Sequence, residues 1–239
     1  LDNVLDGGSG NDRLYGDWGN DTLIGGLGDD YLRGDGGIDT IVFGDLNTNV
    51  SLNWEYKDKA QDTGHGLDII NITTIENITT GSGNDVLTGQ WLDNVLDGGS
   101  GNDRLYGDWG NDTLIGGLGN DILVGGEGTD TIIFGDLNTE VSLLWEYRDK
   151  AQDTGHGLDT IEVWSVENIT AGSGNDVLTG QWLDNVLDGG SGNDRLHGDW
   201  GNDTLIGGLG DDYLRGDGGI DTIVFGDLDT NVSLNWEYN

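Results

Sequence analysis

The chain of 239 residues carries 45 acidic against 9 basic side chains, a formal net charge of −36. That balance excludes nucleic acid and anionic membrane surfaces as partners, since both need a basic face, and it opposes compaction unless cations neutralise it. Glycine reaches 46 residues while Pro, Cys and Met are absent, which excludes collagen, a disulfide framework and thiolate metal sites. No apolar run is long enough for membrane insertion, and no amino-terminal export pattern is present. With 34% hydrophobic residues, the core must be thin and assembled from small repeated units.

Two nested periods organise the chain. Leu1-Asp2-Asn3-Val4-Leu5 returns as Leu92 to Leu96 and as Leu183 to Leu187, a period of 91 residues. The third copy differs from the first at three aligned positions, Tyr15/His197, Asn47/Asp229 and Lys57/Asn239, whereas the second departs at many more. The units are 1–79 (truncated at its start), 80–170, and 171–239 (truncated at its end). Leu1 aligns with Leu92 inside a repeat, and Asn239 with Lys57 and Arg148, so the array is expected to continue beyond both ends.

Inside each unit runs a nine-residue period, Gly98-Gly99-Ser100-Gly101-Asn102-Asp103-Arg104-Leu105-Tyr106 being followed in register by 107–115 and 116–124. The pattern is Gly-Gly-x-Gly-x-Asp-x-U-x, with U aliphatic. Glycine at three of the first six positions demands a tight turn, and x-U-x forms a short strand with U on one face. Two turns and two strands close a coil of 18 residues, so alternate turns stack on the same edge and the U residues fill the space between two parallel sheets. Outward positions pair across neighbouring strands, Arg13 beside Tyr31 and Tyr15 beside Arg33.

Residues 80–133 hold six consecutive nonapeptides, and residues 134–170 form a 37-residue insert. In the first unit's insert Val50-Ser51-Leu52-Asn53-Trp54 alternates as a strand does. Thr63-Gly64-His65-Gly66-Leu67-Asp68-Ile69-Ile70 returns to the motif. The insert is therefore predicted to continue the solenoid as one wider coil, with only residues 57–62 and their copy 148–153 leaving it.

Stacking brings sixth-position carboxylates of alternate turns to about one strand spacing, roughly 5 Å. Asp103 then lies next to Asp121 on one edge, and Asp112 next to Asp130 on the other. Two carboxylates so close repel unless a cation sits between them. Calcium suits the gap, because it takes many oxygen ligands and glycine-rich turns expose carbonyls; zinc would want His or Cys. The candidate ligands are Asp12, Asp21, Asp30, Asp39, Asp68, Asp85, Asp103, Asp112, Asp121, Asp130, Asp159, Asp176, Asp194, Asp203, Asp212 and Asp221. Stacked turn pairs number 11, and pairing Asp68 with Asp85 and Asp159 with Asp176 adds two, so about 11 to 13 calcium ions are expected. Asp130 closes its run and is expected to serve one site where Asp112 serves two. Asn3, Asn94 and Asn185 stand where Asp is expected, so the sites facing Asp21, Asp112 and Asp203 should be weak or empty.

About sixteen nonapeptides in register resemble the repeats-in-toxin (RTX) calcium-binding family. The resemblance implies an all-β, right-handed parallel β-roll. It also implies export in an unfolded state through a type I channel, folding on calcium outside, and an extracellular or cell-surface location. One aliphatic side chain per nonapeptide cannot offset the ordering of nine residues, many of them glycine. Metal binding must therefore supply folding free energy. The role expected is a structural spacer in a large adhesin or extracellular fibre. The alternatives are the carboxyl-terminal secretion and folding module of an enzyme such as a protease, lipase or alginate epimerase, or a carbohydrate-binding module. No enzyme signal is present: His65 and His156 occupy third turn positions and read as solvated, His197 has no nucleophile beside it, and paired carboxylates are explained by the repeat. Trp91 and Trp109, like Trp182 and Trp200, hold third turn positions 18 residues apart. They are predicted to stack along one edge, either packed against Trp145 or its neighbours, or exposed to glycans or neighbouring copies.

Overall fold

The computed structural model describes residues 1–44, 48–53, 59–135, 140–144, 150, 152–161 and 163–225. Each nonapeptide ends in a three-residue strand whose central aliphatic points inwards. In Thr113–Ile115, Leu114 is fully buried between two partly exposed neighbours. Strands of alternate nonapeptides pair in parallel, Leu96 beside Leu114 and Leu114 beside Ile132. The result is an eleven-stranded front sheet running unbroken from Val4–Asp6 to Thr222–Val224. The intervening nonapeptides build the back face, and Leu87, Leu96, Leu105, Leu114, Leu123 and Ile132 between the faces are all fully buried. Arg13 and Tyr31, and Tyr15 and Arg33, are cross-strand neighbours as the spacing predicts. Among the described residues no helix is long and apolar enough to cross a membrane.

The two faces treat the insert differently. On the front, Thr131–Ile133 pairs directly with Asn168–Ser173, so the sheet passes over the insert without a gap. The back face is interrupted there and falls into sheets of four, six and four strands. Leu67–Ile70 stacks on the coil before it, Tyr31 opposite Ile69, whereas Ser51–Leu52 pairs with Val86–Thr88 of the coil after it. Between them Ala60–Asp62 runs antiparallel to Leu67–Ile70, and Gln152–Asp153 does the same against Leu158–Ile161.

This corrects the expectation that residues 57–62 and 148–153 leave the solenoid, since their described parts return as hairpin strands. A buried amide ties each return to the strand before it. Gln61 Oε1 accepts from the Asn53 N–H at 2.8 Å and Gln152 Oε1 from that of Leu144 at 2.7 Å. Each stitches the back face where its backbone ladder is broken.

His65 and His156 also depart from their expected solvation. His156 is buried edge-on against Phe134, with ring centroids 6.0 Å apart, and His65 meets Phe43 likewise at 5.9 Å. Each Phe directly follows the front-sheet strand before the insert, and the imidazole packs on it.

Candidate metal centre

The turns form two rows. Those leading into the front sheet end in Asn3, Asp21, Asp39, Glu76, Asn94, Asp112, Asp130, Glu167, Asn185, Asp203 and Asp221, and make the first edge. Those leading into the back face end in Asp12, Asp30, Asp68, Asp85, Asp103, Asp121, Asp159, Asp176, Asp194 and Asp212, and make the second. Along each row one carboxylate oxygen is spoken for. Asp121 Oδ1 accepts from the Asp103 N–H at 2.8 Å, and Asp130 Oδ1 from that of Asp112 at 2.7 Å. The same bond links Asp12 to Asp30, Asp21 to Asp39, Asp85 to Asp103, Asp176 to Asp194, Asp194 to Asp212 and Asp203 to Asp221.

The other oxygen is not spoken for. In Asp12, Asp21, Asp30, Asp39, Asp85, Asp103, Asp112, Asp121, Asp130, Asp176, Asp194 and Asp203, Oδ2 is buried without a hydrogen-bond partner. A buried carboxylate oxygen left alone is costly, so twelve in two rows mark places built for something else to fill. Apart from Asp85 and Asp176, whose turns open with Thr80 and Ala171, each Oδ2 folds over the first glycine of its own turn. A Cβ at Gly107 would lie 2.3 Å from Asp112 Oδ2 and 2.4 Å from the Gly125 carbonyl. At Gly16 it would lie 2.5 Å from Asp21 Oδ2 and 2.6 Å from the Gly34 carbonyl. Glycine is required there because oxygens of two successive turns converge on the space a side chain would take. Among the described residues no three His, Cys, Asp or Glu side chains come together, so carbonyls must complete any coordination. An all-oxygen set of carboxylate and carbonyl fits a hard cation of calcium's kind.

Burial and like charge act on these acids together. Desolvation, with Asp121 and Asp85 as nearby like charges, pushes Asp103 up to about 7. Desolvation and Asp130 do the same to Asp112, also to about 7. Asp121 and Asp203 rise to about 6, first through desolvation and then through the charges of Asp159 and Asp221 respectively. A divalent cation between the turns relieves both causes, because it supplies ligation and opposite charge.

Three expectations from the sequence need correction. Asp68 does not stack on Asp85, nor Asp159 on Asp176. Asp68 Oδ1 accepts from the Asp30 N–H at 2.7 Å and Asp159 Oδ1 from that of Asp121 at 2.8 Å. Asp85 and Asp176 instead receive the Val50 and Val141 N–H groups at 2.8 and 2.7 Å. The hairpin separates the coil below from the coil above, so the second edge breaks into three blocks. Moreover Thr63 and Thr154 donate their hydroxyls to Oδ2 of Asp68 and Asp159, which fills the position left open elsewhere. Thirdly, Asp130 does not end its run, because Glu167 Oε2 accepts from its N–H at 2.8 Å.

The Asn turns are closed by amides. Asn94 Oδ1 accepts from the Gln90 N–H at 2.8 Å, its Nδ2 donates to the Glu76 carbonyl at 2.9 Å, and Gln90 Nε2 donates to the Ile75 carbonyl at 3.0 Å. Gln181 and Asn185 repeat all three bonds. Two primary amides in each of these turns therefore bond the carbonyls of the turn before it, Glu76 and Ile75 in one and Glu167 and Val166 in the other.

Two features escaped sequence reasoning. Fifth-position Asn and Asp side chains form a second ladder. Asn102 Oδ1 accepts from the Asn120 N–H at 3.0 Å and Asn84 Oδ1 from that of Asn102 at 2.8 Å, fixing turn register from outside. The recurrence of Asn or Asp at that position was the available signal. At the second position Asp17, Asp35, Asp108, Asp199 and Asp217 adopt positive φ of 66 to 77°, a left-handed conformation that Asp tolerates better than most.

Trp18, Trp91, Trp109, Trp182 and Trp200 are exposed on the first edge. Trp182 stacks on Trp164, centroids 5.7 Å apart, a partner the sequence did not offer. Trp145, proposed as a packing partner, lies outside the described residues.

Fold and turns together define a parallel β-solenoid whose two edges are rows of oxygen sites for a hard cation. Comparison with known families gives that class its name. The RTX calcium-binding nonapeptide repeat (4 copies) matches residues 1–32, 73–105, 88–123, 106–138, 165–196, 179–214 and 188–223, well over half of the chain. The chain belongs to that family, and calcium is the cation its repeats bind. A search of curated proteins returned no match.

Proposed function

We propose that this array is a calcium-folded structural spacer of a larger secreted or cell-surface protein of the adhesin or fibre type, built from 91-residue units and ordered by calcium after export. The observation that carries it is the set of twelve buried, partnerless Asp Oδ2 atoms stacked along a core one side chain thick. Without a cation these carboxylates repel and stay desolvated, and the aliphatic row is too thin to hold them together. When bound, calcium supplies charge neutralisation and oxygen ligation at the turns. The residues do the rest: Oδ1 fixes register, Oδ2 and carbonyls face the gap, and the U row seals the interior. Near-identical long units favour the spacer over an enzyme's secretion module, and the complete reading frame decides between them, through many further units or an upstream catalytic domain.

The test is circular dichroism across a calcium titration. Chelator should leave little β structure, with a cooperative gain at roughly 10⁻⁴–10⁻³ M calcium. A complete β spectrum in excess chelator would overturn the reading. The exposed Trp row supports a second role, contact with glycans or neighbouring copies, which a glycan array and sedimentation with calcium present would reveal.

A further inference from the structure

Each insert re-enters the front sheet through a turn that the nonapeptide pattern does not describe. These turns contain the 3-10 segments Ile72–Thr74 and Val163–Ser165 and close with Glu76 and Glu167. Beneath them lie Asp39 and Asp130, both 0% exposed and both with Oδ2 buried and partnerless. Glu76 Oε2 accepts from the Asp39 N–H at 2.8 Å and Glu167 Oε2 from that of Asp130 at 2.8 Å, the bond that Asp Oδ1 makes elsewhere. A backbone carbonyl completes the likeness. A Cβ at Gly34 would lie 2.3 Å from both Asp39 Oδ2 and the Thr74 carbonyl. At Gly125 it would lie 2.4 Å from Asp130 Oδ2 and 1.8 Å from the Ser165 carbonyl. Thr74 Oγ1 and Ser165 Oγ accept from the N–H groups of Gly34 and Gly125, at 3.1 and 2.9 Å, and hold those carbonyls in place.

We propose that a calcium ion binds between the Asp39 and Glu76 turns and another between the Asp130 and Glu167 turns, clamping the base of each insert. The longer Glu side chain reaches from a backbone with no Gly-Gly-x-Gly path to the point where Asp reaches elsewhere. The sites carry the first-edge row over the insert, whereas the second edge is broken there. One coil further on the row stops, because the Asn94 and Gln90 amides, and the Asn185 and Gln181 amides, occupy the carbonyls. The array then reads as blocks of calcium-bearing turns on the first edge, separated by amide-sealed coils.

The inference rests on the calcium reading above, and its test separates the two. Bound calcium would be counted by elemental analysis after equilibrium dialysis of the whole chain against saturating calcium. The chains compared would be wild type, Glu76→Gln/Glu167→Gln and Asp103→Asn. The double Glu variant should bind two ions fewer with an unchanged β spectrum, and Asp103→Asn should also bind less. A double variant that keeps the wild-type count while Asp103→Asn loses calcium overturns the Glu sites and leaves the array intact. Wild type binding none overturns both. Should the double variant fail to fold, crystals of the wild-type chain grown with terbium decide, through an anomalous peak between Asp130 and Glu167 or its absence.

Discussion

Asn94→Ala separates an amide seal from a weak calcium ligand. Asn94 is 2% exposed and makes two bonds that alanine cannot, from Nδ2 to the Glu76 carbonyl at 2.9 Å and from the Gln90 N–H to Oδ1 at 2.8 Å. Its own N–H still reaches Asp112 Oδ1, at 2.7 Å, so the neighbouring turn keeps its register. The substitution leaves the buried Gln90 N–H unpaired, at about 1–3 kcal/mol, while the Glu76 carbonyl keeps the Val95 N–H at 3.2 Å. Stabilisation by ligand grows as RT ln of its concentration for each bound ion. Spread over on the order of four ions that fold with the unit, the loss raises the calcium midpoint about 1.5- to 3.5-fold. Tryptophan fluorescence during a calcium titration reads the midpoint, and elemental analysis at saturation reads the ion count. The midpoint should rise and the count stay the same. A count lower by one would show that Asn94 Oδ1 ligates calcium, and an unmoved midpoint would show that the amide bonds contribute nothing; either refutes the seal.

Asp130→Ala should raise the calcium midpoint at least as much as Asp112→Ala, since Asp130 lies between Asp112 and Glu167 while Asp112 has the sealed Asn94 turn on one side. A clearly larger effect at Asp112, in the same titration, would restore Asp130 to the end of its run. Acidity should act on the metal-free chain in the opposite sense to ordinary acid denaturation. Burial pushes Asp103, Asp112 and Asp194 from 3.8 up to about 7. The folded form therefore holds protons that the unfolded chain has released, and this contribution is complete below 3.8 and lost as pH rises through about 7. In chelator, residual β structure by circular dichroism should be greater at pH 5 than at pH 8, and an equal or smaller signal at pH 5 contradicts the buried placement. With calcium present, falling pH through the same window should weaken binding, because protons and cations compete for the same oxygens.

Much of this molecule is local and therefore legible in its sequence. A nine-residue period with three glycines, one Asp and one aliphatic specifies turn, ligand and core position within each repeat. Stacking identical coils then admits one register, which is why Leu105 meets Leu123 and Asp103 meets Asp121 as the spacing predicts. The Asn turns were legible as well, since a missing charge is visible without coordinates.

The pairings across the insert were not legible, because they depend on which non-local surfaces the hairpin leaves facing each other. Sequence adjacency favoured Asp85 as the neighbour of Asp68, but the antiparallel return at Ala60–Asp62 put Asp68 on Asp30 and gave Asp85 the Val50 N–H. Glu76 and Glu167 lie outside the motif, so only the front sheet's continuity over the insert reveals that they stand where Asp would. The repeat fixes chemistry wherever neighbours are identical. Where a coil is widened, tertiary packing selects the partner, because backbone N–H groups bond to whichever carboxylate the stacked strand brings within reach.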